Sequence, residues 1–130
     1  MNKELDKKLF DRFSFFKPKK SLMESLMGFG FECDDGWFDI IYSLCEEVEK
    51  LIKDIKDFEV IQVKEKFGGL RFYTNFSNEE ISKLIMEAMK KSQVTCEICG
   101  KKGTLCDKGS WVKTLCEEHM KEFKYELTRD

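Results

Sequence analysis

Two strand-like runs joined by a glycine pair, several stretches of helical periodicity and an abrupt change of composition after residue 92 predict an α+β fold. Helices pack on a small antiparallel hairpin, and a compact Cys-rich unit follows. At 130 residues the chain is one domain with an appendage, read here as an α+β core over residues 1–91 and a module over residues 92–130. Apolar residues make up 42% and charged residues 37%, with a single Pro, which is enough to bury a core and too little punctuation for disorder. No run approaches the roughly 18 apolar residues of a membrane span, and Met1 to Asp6 lacks a signal-peptide apolar region. The expectation is a soluble, cytoplasmic chain whose six Cys are reduced or metal-bound rather than disulfide-paired.

Leu5, Leu9, Phe13 and Phe16 recur at helical spacing, predicting an amphipathic helix over residues 3–16 that Pro18 ends. Residues 28–36 are rich in Gly and Asp and read as a loop. Trp37 opens the strongest helical pattern, Ile40, Ile41, Leu44, Val48, Leu51, Ile52 and Ile55, whose other face of Glu46, Glu47, Glu49, Lys50, Lys53 and Asp54 is solvated. Residues 58–67 and 70–76 are strands flanking a Gly68-Gly69 turn. Ser77 and Glu80 form a capping-box pattern ahead of Ile81, Leu84, Ile85, Ala88 and Met89, one apolar stripe on a further helix.

The net charge of −2 conceals an uneven distribution, with residues 1–20 basic and residues 21–57 strongly acidic. A protein that wraps duplex nucleic acid needs a broad basic surface, because phosphate neutralisation supplies most of its affinity. None is present, and Lys17-Pro18-Lys19-Lys20 reads as a solvated linker.

The chemistry-bearing residues cluster late. Cys96 and Cys99 stand two residues apart with Gly100 after them, and Cys116 and His119 follow three residues apart. Thr114 and Glu117 form a capping-box pattern that starts a helix near Leu115 and puts Cys116 and His119 on one face. Zinc takes four such donors in a tetrahedron, and four protein ligands leave no open position, so the predicted role is structural. Between the pairs, residues 104–107 and 110–114 around Lys108-Gly109 read as a hairpin, and the order knuckle, hairpin, ligand-bearing helix resembles a treble-clef zinc finger. Cys106 competes with His119 for the fourth position, but it lies inside the hairpin and the helix pair fits better. Cys33 and Cys45 read as buried thiols. Treble-clef nucleases use a His as general base; the single His here is claimed by the metal, which argues against that chemistry and against a Cys/His nucleophile.

With Gly68-Gly69 as a two-residue loop, Lys66 stands opposite Arg71, Lys64 opposite Tyr73 and Gln62 opposite Asn75 on one face, while Ile61, Val63, Phe67, Leu70, Phe72 and Phe76 form the other. Like charges directly across a strand pair are destabilising unless an anion lies between them. Phosphate or a carboxylate suits such a site, with Arg71 as a fork, Lys64 and Lys66 as point charges, Tyr73 as a platform and Trp37 alongside.

Asp35-Gly36-Trp37-Phe38 with Leu44-Cys45, then Lys64-Glu65-Lys66-Phe67-Gly68-Gly69-Leu70-Arg71-Phe72-Tyr73, then Thr95 to Gly100 and Trp111 to His119 together resemble a family of small, uncharacterised bacteriophage and prophage proteins. The similarity covers most of residues 35–119, implies the zinc finger and its ligands, and carries no assigned activity. Two function classes follow. In the first, a non-enzymatic phage protein captures an anionic, nucleotide-like ligand or blocks a host defence protein through the basic and aromatic hairpin face. In the second, the chain is a zinc-finger nucleic-acid-binding or regulatory protein. An enzyme ranks third, because no acid, base and nucleophile converge by motif.

Overall fold

The structure, a computed structural model, describes residues 1–16 and 27–128; the Lys17-Pro18-Lys19-Lys20 tract lies outside them. Helix α1, Lys3–Arg12, is capped by Asn2, whose side chain accepts the Leu5 N–H at 2.9 Å. It stops before the expected residue 16 because Phe13 turns extended, and Ser14–Phe16 forms a 3₁₀ turn. Packing explains the early stop: a continued helix would splay Phe13, Phe15 and Phe16 over much of its circumference, whereas leaving the helix buries all three. Phe13 then stacks on Phe15 with centroids 5.4 Å apart, and Phe16 meets Phe31 edge-on at 4.9 Å.

Helix α2, Phe38–Leu51, buries Ile41, Leu44, Cys45 and Val48, and ends short of Ile55. The chain then turns through Asp57, at φ 59°, and delivers Phe58 to the same core. Strands β1, Val60–Lys66, and β2, Gly69–Thr74, form an antiparallel pair. Helix α3, Glu79–Ser92, packs against both α2 and β2. Its cap is Asn78, which accepts the Ile81 N–H at 2.9 Å, and not Ser77, whose hydroxyl is engaged with Ser82.

The hairpin turn is Phe67-Gly68, one residue earlier than expected, with both residues in the left-handed region at φ 52° and 80°. Lys64 therefore pairs with Arg71, Gln62 with Tyr73 and Lys66 with Gly69. Moving the turn by one residue shifts the pairing by two, so the parity of each strand is kept and Lys64, Lys66, Arg71 and Tyr73 still share a face. Phe67 and Phe76, expected in the core, are exposed, one at the turn and one past the end of β2. An irregularity between Val60 and Gln62 lets Val60 turn inward with Val63. The expected loop over residues 28–36 also contributes to the sheet. Glu32 donates its N–H to Val63 O at 2.9 Å and accepts from the Glu65 N–H at 3.0 Å, so residues 31–33 run parallel to β1.

The C-terminal unit comprises β3, Thr104–Lys108, β4, Trp111–Leu115, α4, Glu117–Glu122, and a short β5, Glu126–Leu127, that the sequence did not announce; the sheet order is β4-β3-β5. This completes an α+β fold with a zinc-finger-like hairpin and helix at the C-terminus. No helix among the described residues is long and apolar enough to cross a membrane.

Candidate metal centre and hairpin face

The first half of the centre is a tight turn. The Gly100 N–H donates to Cys96 O at 2.9 Å with Gly100 at φ 82°, which curls Cys96 and Cys99 around a common point. The second half comes from the start of α4. Cys116 is the N-cap residue and Sγ accepts the His119 N–H at 3.5 Å, so the expected Thr114 cap is replaced by a ligand thiol while the three-residue spacing is retained. Thr114 belongs to β4 instead.

The donor atoms of Cys96, Cys99, Cys116 and His119 all lie within 4.8 Å of one another. Cys99 and Cys116 sulfurs are 3.7 Å apart, and His119 Nδ1 is 3.7 Å from Cys96 Sγ and 3.1 Å from Cys116 Sγ. Bonds of about 2.3 Å to sulfur and 2.0 Å to nitrogen in a tetrahedron give edges of roughly 3.5–3.8 Å, so these four can hold a metal ion such as zinc. Cys106 stands outside the cluster, with Sγ donating to Lys113 O at 3.3 Å. Thiol acidity is prepared for coordination at Cys116. Desolvation raises the Cys116 pKa, but hydrogen bonds from the His119 backbone and ring and from Cys99 and Cys96 outweigh that and bring the pKa to about 7. Cys33 and Cys45 are buried as expected, and desolvation pushes both thiols far up. Outside the ligand set, His119 Nε2 lies 3.8 Å from Glu122 Oε2 and its ring stacks on Phe123.

The centre is tied to the core by residues that carried no local signal. Glu97, between two ligands in sequence, is buried; it accepts the Asp34 N–H at 3.1 Å and pairs with Lys113 Nζ at 3.2 Å. Its carboxyl is raised mainly by burial, with Lys113 acting in the opposite direction. The Gly36 N–H donates to Glu97 O at 2.7 Å, and a Cβ on Gly36 would sit 2.1 Å from Cys96 O. Trp37 is fully buried and donates its indole N–H to Thr95 O at 2.9 Å, so it joins the core to the knuckle and cannot stand beside a ligand on the hairpin face. Thr114 Oγ1 donates to Gly68 O at 2.7 Å. The partners of Asp34, Gly36, Trp37 and Thr114 are more than 40 residues away, which is why no sequence window revealed them.

Comparisons with protein families, curated proteins and solved structures give no match to this chain.

On the hairpin, Lys64 and Arg71 are directly opposed and half-buried, Lys66 is exposed opposite Gly69, and Tyr73 is 43% exposed opposite Gln62. Arg71 Nη1 rests 2.9 Å from Met89 Sδ of α3, and Lys66 Nζ sits 5.7 Å from the Phe67 ring centroid. Among the described residues neither Lys64, Lys66 nor Arg71 has a carboxylate partner. Four of the five residues expected on this face are thus together, and Trp37 is elsewhere.

Proposed function

We propose that this protein is a non-enzymatic, phage-type binding protein of the anti-defence class, which captures an anionic, nucleotide-like ligand or the acidic surface of a host defence protein on its hairpin face. The observation that carries the reading is the direct opposition of Lys64 and Arg71 with no carboxylate partner among the described residues. Such a pair is destabilising by itself and becomes favourable when an anion lies between the two charges. Arg71 is already oriented by Met89, so its fork is partly preorganised, and Tyr73 beside it offers a ring to a base or a hydroxyl to a phosphate. The metal is zinc and its role is structural: four protein donors complete its tetrahedron, and it holds the finger against the core. Nucleic-acid binding by the finger is the weaker reading, because Lys101, Lys102 and Lys121 on its surface are interleaved with Glu117 and Glu118, and Lys121 is paired with Glu117 at 3.0 Å.

Mass spectrometry of small molecules released from the purified protein, followed by calorimetry with mono-, di- and cyclic nucleotides, tests the capture arm. Removing the Arg71 fork costs about 1.5–3 kcal/mol of binding, the range for hydrogen bonds to charged groups. Unchanged affinity in both Arg71→Ala and Lys64→Ala, with the fold intact, places the ligand elsewhere and overturns the reading.

A further inference from the structure

The tip of the β1–β2 hairpin docks against the β3–β4 hairpin in an arrangement that neither the metal centre nor the Lys64 and Arg71 pair requires. Phe67 occupies a left-handed turn position, φ 52°, that Asn, Asp or Gly fills at less cost, and the residue is 65% exposed. Trp111, which opens β4, is 72% exposed. Two large aromatics are therefore presented to solvent from separate hairpins. The hairpins are locked together beneath them by the Thr114 to Gly68 hydrogen bond and by a contact so close that a Cβ on Gly68 would stand 2.4 Å from Leu105 Cδ1.

Phe67 and Trp111 line a shared cleft of about 210 Å³, together with Glu65, Ser110 and Val112. Glu65 is held in place, with Oε2 accepting the Gly68 N–H at 2.8 Å. Its only cationic neighbour among the described residues is Lys113, at 3.9 Å, and that ammonium is closer to Glu97, at 3.2 Å. One ammonium is divided between two carboxylates, so negative charge is left over beside two exposed π-systems. Aromatic faces next to an under-compensated carboxylate are complementary to an organic cation. The Phe67 ring already draws the Lys66 ammonium to within 5.7 Å of its centroid.

We propose that this cleft receives an arginine side chain of a protein partner, with the guanidinium against Phe67 and Trp111 and paired to Glu65. Arginine is favoured over lysine because a planar, weakly hydrated cation stacks on rings while keeping its donors for a carboxylate. By strand alternation Glu65 faces away from Lys64 and Arg71; Lys66, whose ammonium reaches the Phe67 ring, is the one residue the two faces share, and the site does not rest on the anion-binding reading.

The test uses the full metal-loaded chain labelled with ¹⁵N, in which the two indole N–H signals belong to Trp37 and Trp111 and are assigned with Trp111→Phe. The probe is the acetylated, amidated peptide Gly-Arg-Gly, and the control replaces Arg by citrulline, which keeps the shape and removes the charge. The Trp111 signal should move saturably with the arginine peptide while Trp37 stays still, and citrulline should bind at least about fivefold more weakly. Glu65→Gln keeps an acceptor for the Gly68 N–H, and Phe67→Gly suits the turn; each should weaken the arginine peptide by about fivefold or more. Arg71→Ala should leave this titration unchanged, which separates it from the anion site. The proposal is overturned by the absence of a saturable shift, by an equal response to citrulline, by full binding in both variants, or by a Trp111 shift with guanosine monophosphate and none with the arginine peptide.

Discussion

Cys116 combines three roles in one side chain: candidate metal donor, helix cap and a thiol whose pKa its hydrogen bonds lower to about 7. Cys116→Ser keeps a capping oxygen but not the thiolate, so the variant should lose bound metal and unfold the finger, whereas Cys106→Ser should retain one metal ion per chain. Elemental analysis beside mass determination distinguishes them, and full metal content in Cys116→Ser would refute the ligand assignment. Cys33 and Cys45 should resist iodoacetamide in the native protein, since both are enclosed and their thiols are pushed far up by desolvation; labelling at either before unfolding would contradict that placement. The clustering of Cys96, Cys99, Cys116 and His119 was legible in the sequence because its signal is local, with two short spacings and a helix start. Glu97 was not, because nothing within its own turn distinguishes a buried, paired Glu from a solvated one.

At the level of elements, helix and strand identities followed from periodicity, while their ends did not. The helix over residues 3–16 ends early because three Phe compete for one core, and the hairpin turn moves because Gly is needed where the tip meets Leu105. A glycine pair offers two possible turns, and only the docked partner chooses between them. Ser92 at the end of α3 fixes the hairpin from its other strand: it is fully buried, and its hydroxyl accepts the Leu70 N–H at 2.9 Å. Ser92→Ala leaves that donor unpaired and should cost about 1–3 kcal/mol in urea denaturation; a loss below a few tenths would mean water replaces the hydroxyl. After α4, Lys124 takes φ 61° while the Tyr125 N–H returns to Met120 O at 2.8 Å, the left-handed helix stop that glycine prefers. Lys124→Gly should therefore stabilise the fold by up to about 1 kcal/mol, and a lower unfolding midpoint would show that the lysine makes a compensating contact.

Across the whole molecule, the seam between the core and the C-terminal unit joins backbone to backbone at Gly36 and Glu97, and side chain to backbone at Trp37, Glu97 and Thr114. Gly36→Ala forces a methyl group against the Cys96 carbonyl and should destabilise by about 1–3 kcal/mol or more while weakening metal retention. Chelation should propagate in the opposite direction: amide exchange ought to rise at residues 31–37 and at the 67–70 turn, not only in the finger. Exchange confined to residues 92–128 would show two independent units.

The bond from the Trp37 indole to Thr95 spans 58 residues of chain. At about 5–20 residues per second, a ribosome finishes the acceptor roughly 3–12 s after the donor, and Gly36 waits at least as long for the knuckle. During that interval the nascent chain presents an unsealed aromatic interior. The seam is therefore the last part of the fold to close, once the candidate metal ligands of residues 96–119 have been synthesised.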